Sequence, residues 1–312
     1  MTDTDARQQR LIALLRQLAP NEGYTLSALD GVKFMRLDRP LARTPVFYEP
    51  CIVIVCQGTK RSFLGGHEYV VDPRHALVAS VPLPFESETI ASAEQPMLAV
   101  SIRIDTPVAA ELVHALERLH GDSPARAASI CATPLNDKIS DALLRLLDVL
   151  ARPADSAILG PGFVRELLFY VLTGPHGDAL RTALAPHSQF GKIGKVLRRI
   201  HADYQQQIDV GTLAGEAGMS VAAFHANFKA VTLTSPMQYL KSTRLHRARL
   251  LMVQDCVSAS GASSRVGYES TSQFSREFKR YFGRSPLQEA AHMKRTLVQM
   301  PAEHSSPYLA VQ

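Results

Sequence analysis

The chain lacks most of the patterns that would mark an enzyme or a membrane protein. Its 312 residues contain no apolar run near the ~18 residues that span a bilayer. The opening MTDTDARQQR is polar and has neither the apolar stretch nor the small-residue site of a secretory signal. A cytoplasmic protein, free of membrane contact, is the expectation. Only four cysteines are present, Cys51, Cys56, Cys131 and Cys256. In that compartment they are expected to be thiols. No phosphate-binding P-loop, dinucleotide glycine pattern or Gly-x-Ser-x-Gly elbow occurs. His67, Glu68 and His75 are the one cluster that could suggest a metal, and His67 and Glu68 point to opposite sides of a strand. A metal site needs three or four convergent ligands. The expectations are therefore no catalytic residues, no metal and no cofactor.

What is present is an uneven distribution of charge. The net charge of +5 divides into −3 over residues 1–185 and +8 over residues 186–312. A basic C-terminal part fits a polyanion-binding module joined to something else.

The basic part repeats itself at an offset of 50 residues. Ser220 aligns with Ser270, Phe224 with Phe274, Phe228 with Phe278 and Lys229 with Lys279. Ser235, Pro236 and Gln238 align with Ser285, Pro286 and Gln288. The shared pattern S-x3-F-x3-F-K-x5-S-P-x-Q reads as a capped helix with phenylalanines on its inner face, a turn, and a second helix opened by Ser-Pro. A short segment ending in glycine precedes each cap, at 210–218 and 257–267. Helix, glycine turn and capped helix make a helix-turn-helix, whose second helix enters the DNA major groove. The spacing predicts a long helix over SPMQYLKSTRLHRARLLM joining the two copies.

With the phenylalanines inward, Ala222, His225, Ala226 and Lys229 lie outward in the first copy. Ser272, Gln273, Ser275, Arg276 and Lys279 do so in the second. Arg suits guanine and Gln suits adenine, alanine can meet a thymine methyl, and Ser and Lys suit phosphates. With the caps Ser220 and Ser270, these are the candidate DNA-binding residues.

VGYESTSQFSREFKRYFGRSP (266–286) closely resembles the second helix-turn-helix of the AraC/XylS family of bacterial transcription regulators. LAGEAGMSVAAFHANFKAVTLTSP (213–236) resembles the first. There are two departures. The Gly/Ser-rich SASGASS stands before VGY, where low helix propensity makes a marginal helix. Leu233 stands where Gly283 stands in the second copy, so a different turn geometry is expected there.

Upstream, residues 4–19 form an amphipathic helix pattern. Short strands follow near 31–37, 46–56, 59–64, 68–71, 75–80, 84–90 and 97–104, then helices near 106–120, 136–151 and 160–173. YEPCIVIVCQGTKRSFLGG with VPLPF resembles the cupin-like N-terminal domain of an AraC subgroup. The expected fold is α+β: an N-terminal cupin-like β-barrel with flanking helices, then an all-α domain with two helix-turn-helix motifs. The domains are placed at 1–185 for sensing and dimerisation, with the barrel at about 20–104 and helices at about 105–174. The DNA-binding domain is placed at 186–295 and a tail at 296–312.

The resemblance implies a transcription regulator whose partners are double-stranded promoter DNA, a small-molecule effector, a second copy of itself and RNA polymerase. The leucine stripe with Leu143, Leu147 and Leu150 reads by default as a helix packed on the barrel, and the resemblance favours the same residues as the dimer seam. Three alternatives are a regulator whose N-terminal domain mediates only protein contacts, a metal-dependent cupin enzyme, which would need more ligands than His67, Glu68 and His75 offer, and an alkyl-repair protein, which would need a four-cysteine zinc set that the chain does not offer. Cys51 and Cys56, five apart on one strand, face opposite sides and cannot pair. Both read as core, with one allowed as a reactive thiol toward aldehydes if Lys60 and Arg61 fold back to lower its pKa.

Overall fold

In the computed structural model, the described residues are 3–120, 125, 127–185 and 188–297. An N-terminal β-rich part is followed by helices. The first helix, α1 (Asp3–Leu18), packs Leu11 and Leu15 on the sheet behind it. Ten strands form two sheets. The larger has the order β1 (Gly23–Leu26), β2 (Val32–Leu37), β9 (Met97–Arg103), β4 (Cys51–Gln57), β7 (His75–Ala79), β10 (Ile130–Pro134). The smaller has the order β3 (Leu41–Tyr48), β8 (Leu83–Ile90), β5 (Thr59–Leu64), β6 (His67–Val71). All pairs are antiparallel.

The side-chain alternation of β4 separates two apolar layers. Ile52, Ile54 and Cys56 join the layer under α1, α2 (Thr106–His120), α3 (Asp137–Leu150) and α4 (Pro153–Leu172). Cys51, Val53 and Val55 join the layer between the sheets, with Met35, Val46 and Phe85. The segment 46–56, expected as one strand, is two: β3 ends at Tyr48 and β4 begins at Cys51, with Glu49-Pro50 between. Strand β3 holds Pro45, which forms no ladder N–H bond and so suits an edge strand. Strands β1 and β10 were not anticipated; each is short and lies at an edge of the larger sheet.

The helical part begins with α5 (Gly177–Leu184) and α6 (Gln189–Asp203). Two similar units follow: α7 (Val210–Glu216) with α8 (Val221–Thr232), and α10 (Ala259–Arg265) with α11 (Thr271–Phe282). The long α9 (Pro236–Val253) joins them and α12 (Pro286–Leu297) closes the chain's described part. Residues 298–312, most of the expected tail, lie outside the described residues, as do 186–187 beside the expected domain boundary.

The layer between the sheets is continuous with the core of the first helical unit, running from Val53 and Leu77 to Phe228 and Tyr239. Polar bonds cross the same seam. Arg249 on α9, 2% exposed, pairs with Glu289 at 3.3 Å and donates to the carbonyl of Pro45 on β3 at 3.2 Å. Tyr239 donates its hydroxyl proton to the Pro82 carbonyl at 2.9 Å. Phe47 packs beside His201 and His246, with centroids 4.9 and 5.8 Å apart.

Two glycines at tight approaches are demanded by the backbone. Gly267 has φ +82°, and an added Cβ would run into the Gln205 carbonyl oxygen. Gly65 has φ +59°, and its Cβ would lie 2.5 Å from Leu233 Cδ1. Gly267→Ala is expected to lower stability by at least about 2 kcal/mol, measured by denaturant midpoint, because strain and clash add.

Burial, with Arg247 beside it, lowers the His201 pKa to about 3, and burial with Arg249 lowers that of His246. Both imidazoles fold neutral, while the unfolded chain takes up protons near pH 6.5. Their stability contribution is complete above about pH 6.5 and is lost as pH falls. Each contributes a slope of at most about 1.4 kcal/mol per pH unit. Thermal melts between pH 7 and 5.5 are expected to show this fall, and His201→Gln is expected to flatten it.

Candidate nucleic-acid interface

Each helical unit builds an outward face from the same local chemistry. Ser220 caps α8 by accepting from the Ala223 N–H at 3.3 Å, and Ser270 caps α11 by accepting from that of Gln273 at 3.2 Å. The four-residue spacing of the phenylalanines then fixes helix rotation. Phe224 and Phe228 are fully buried with centroids 5.5 Å apart; Phe274 and Phe278 are equally buried, 5.4 Å apart.

That rotation places the candidate DNA-binding residues as follows. Ala222, His225, Ala226 and Lys229 are exposed on α8, with Ser220 at its start. Ser272, Gln273, Arg276 and Lys279 are exposed on α11, with Ser270 at its start, and Ser275 is half-buried. The α11 face is the more polar and more basic of the two.

Glu277, which the sequence reading passed over, organises the α11 face. Its carboxylate accepts from the Tyr268 hydroxyl at 2.8 Å, from Lys241 at 3.1 Å and from the Gln273 amide at 3.3 Å. Gln273 is thus held by a neighbour four residues on, and that spacing was the available signal. These bonds favour the ionised carboxylate and outweigh its burial, so its pKa is lowered.

The first turn corrects one expectation. Leu233 adopts φ 57°, ψ 15°, and Gly283 adopts φ 76°, ψ −9°. Both are left-handed, and each closes its helix by donating to the carbonyl four residues back, Lys229 or Lys279, at 2.8 Å. The first turn therefore has the geometry of the second, with a leucine in a conformation that suits glycine. The Gly/Ser-rich stretch also forms its helix, α10, capped by Ser258 accepting from Gly261 at 3.1 Å.

Two further candidate sets lie elsewhere. Leu143, Leu147 and Leu150 are buried inside the chain, in the core that α3 shares with α1 and α4. That face is already covered, so it is not available as a seam to a second copy. Cys51 and Cys56 are 7% and 2% exposed. Burial pushes both thiols up to about 12, opposed at Cys51 by a hydrogen bond from Ser101. Arg61 does not turn toward them, since it pairs with Glu68 and Glu88. The lowered pKa that a reactive thiol needs is thus not found at either position.

His67 and Glu68 are exposed on β6, and His75 bonds Asp72 at 2.9 Å. No group of three metal-ligating side chains occurs among the described residues. At the seam between strands and helices, Glu49 is half-buried, and its buried Oε1 has no hydrogen-bond partner. Burial raises its pKa, opposed by the charges of Arg247 on α9 and of Lys33 and Arg103 on the strands.

Cys256 is the exposed cysteine, with Lys294 Nζ 3.1 Å from its sulfur. A thiol reagent is expected to modify Cys256 within minutes in the native protein. Cys51, Cys56 and Cys131 are expected to react only on unfolding. Peptide mapping after timed alkylation measures both.

Comparison with known proteins bears on this geometry. The model of the AraC-type transcriptional regulator N-terminus matches residues 28–179, and a helix-turn-helix domain model matches 213–291. The Msm operon regulatory protein of Streptococcus mutans is 29% identical over 30% of this chain and 34% of its own length. The HTH-type transcriptional regulator AlkR of Acinetobacter baylyi is 32% identical over 30% of this chain and 31% of its own. The chain therefore matches about a third of the length of these curated relatives. Among solved structures, an apo point variant of ToxT from Vibrio cholerae shares the fold, with a TM-score of 0.59 and 14% identity over 85% of this chain and 99% of that one. Wild-type ToxT with unsaturated fatty acid bound gives a TM-score of 0.58 and 13% identity over 86% of this chain and 96% of that one. With an AraC-type N-terminal match ahead of two capped helix-turn-helix units, the chain belongs to the AraC/XylS family of transcription regulators.

Proposed function

We propose that the chain is a sequence-specific DNA-binding regulator of transcription that acts on promoter DNA, responds to a small molecule and has no catalytic step of its own. The carrying observation is the outward face of α11, where Arg276 and Gln273 are exposed on a helix whose rotation is fixed by buried phenylalanines. Arg276 and Gln273 would read base edges, with Arg suited to guanine. Lys229, Lys279 and the serines would position the protein on phosphates. His225 with Ala222 and Ala226 would give α8 a weaker reading face. RNA polymerase and a second copy of the chain are further partners of this reading, and the cytoplasm is its compartment.

Control by an effector is supported by the seam between strands and helices. A ligand touching both parts would change their arrangement by favouring one of two states. The half-buried Glu49 carboxylate with an unpartnered oxygen, near the charges of Lys33, Arg103 and Arg247, lies where such a ligand would act. The ToxT neighbour solved with a fatty acid bound supports small-molecule control in this fold.

Arg276→Ala is expected to weaken binding to the cognate operator by about 1–3 kcal/mol and to relax preference at one base pair. Lys229→Ala is expected to weaken binding to all sequences alike and to reduce the salt slope by about one. Titrations on wild-type and base-substituted operators at several salt concentrations measure both. An equal loss on every sequence for Arg276→Ala would remove the base-reading role.

A further inference from the structure

The Glu277 network does more than brace α11, because it fixes which way round a side chain on the outward face points. Gln273 lies in the first turn of α11, and the early residues of such a helix are the ones that reach base edges. Gln273 is exposed, yet its amide nitrogen is held 3.3 Å from Glu277 Oε1. An ionised carboxylate has only acceptors, so the amide turns its nitrogen toward Glu277 and its carbonyl oxygen away. The carboxylate is itself held from two other places. Lys241 on α9 donates to the same oxygen at 3.1 Å. The Tyr268 hydroxyl, from the turn before α11, donates to the other oxygen at 2.8 Å. The Glu277 side chain is only 12% exposed, so it sits behind Gln273 and not beside it on the surface.

This arrangement limits what Gln273 can offer to a base. With one N–H committed to Glu277, one N–H donor and the carbonyl acceptor remain. Adenine presents their complement in the major groove, an acceptor at N7 and a donor at N6. Guanine presents two acceptors, N7 and O6, and a bidentate partner for it must bring two donors. A free glutamine amide can turn both its N–H groups outward. Gln273 can do so only by breaking its bond to Glu277. Lys241 also balances the charge of the carboxylate, so the device adds no net negative charge close to phosphates.

The first helix-turn-helix has no counterpart. At the offset of 50 residues, Ala223 and Asn227 stand where Gln273 and Glu277 stand in the second. Asn227 donates back to the Ala223 carbonyl on its own helix at 2.9 Å. The carboxylate and the glutamine it holds therefore occur together in one unit and are both missing from the other.

We propose that Glu277 is a positioning residue for DNA sequence: it orients Gln273 so that α11 selects adenine over guanine at one base pair, without touching DNA itself. This deepens the regulator reading and rests on it. The test is selection from a pool of randomised DNA duplexes by the full-length chain and its variants. Wild type is expected to enrich adenine at one position, and Gln273→Ala is expected to flatten that position alone. The near-isosteric Glu277→Gln carries an amide that can accept or donate, so Gln273 is free to turn over. It is expected to lower the adenine-over-guanine ratio at that position by at least about fivefold. Other positions and the melting temperature are expected to stay as in wild type. In a Gln273→Ala background, Glu277→Gln is expected to change nothing further. A second measurement needs no variant of Glu277. Replacing the selected adenine by 7-deazaadenine, which lacks N7, or by purine, which lacks the N6 amino group, is expected in each case to weaken wild-type binding at least about fivefold. A Glu277→Gln chain that keeps its preference for adenine would overturn the proposal. So would one that loses affinity for all sequences alike, the result of a purely structural brace, or wild-type binding indifferent to either base analogue. A wild-type chain that enriches no sequence at all would count against the regulator reading and this proposal together, whereas the other adverse results count against this proposal alone.

Discussion

A buried arginine ties the molecule together. Arg249 sits on the helix shared by both helix-turn-helix units, and it cannot be solvated where it lies. A guanidinium in that position is tolerable only with matched partners. Glu289 of α12, the Pro45 carbonyl of β3 and the ring of Phe282, 4.4 Å from the guanidinium carbon, supply them. Three elements from separate regions are thus held by one side chain. The seam between the β-rich part and the helices follows from this demand as much as from apolar burial. Tyr239, whose hydroxyl also meets a strand-region carbonyl, repeats the arrangement nearer the start of the same helix.

The second helix-turn-helix depends on a further fixed point, the loop after α6. Arg244 donates to the carbonyls of Tyr204 and Gln206 at 2.7 Å, and Gly267 passes close to that of Gln205. Gln207 donates to Glu269 at 2.9 Å. The position of α11 is therefore set by a stretch about 60 residues away in sequence. Its outward face is held by that loop and by the Glu277 network. By contrast α8 takes its position from the apolar layer between the sheets, through Phe228 and Tyr239.

Much of this was legible in the sequence. The repeat at 50 residues, its serine caps and its paired phenylalanines determine local structure by short-range rules, and the helices lie where those rules place them. The alternation across Cys51 and Cys56 is likewise a property of any regular strand. What escaped was non-local. The leucine stripe of α3 has the same spacing whether it packs on its own chain or on another, and only the positions of α1 and α4 decide between them. The chemistry of Cys51 depends on desolvation by distant residues, whereas Lys60 and Arg61 were judged by nearness in sequence. The extent of β3 around Pro45 makes sense only at a sheet edge, and that edge position is visible only with the sheet order. Glu277 was missed because its partners Tyr268 and Lys241 come from other elements.

The two turns of the repeat share a backbone but not a residue type, and this divides their energetics. Gly283 occupies the left-handed region at little cost, while Leu233 does so at a penalty of roughly 1 kcal/mol. Leu233 is also the side chain that the Gly65 turn of the β5–β6 hairpin approaches. The last turn of α8 is accordingly the weaker end of the pair, and amide exchange there is set by how firmly the hairpin rests on it. Anything that lifts the hairpin is felt first in the hydrogen bond from the Leu233 N–H to Lys229, and so at the end of the helix proposed to contact the operator.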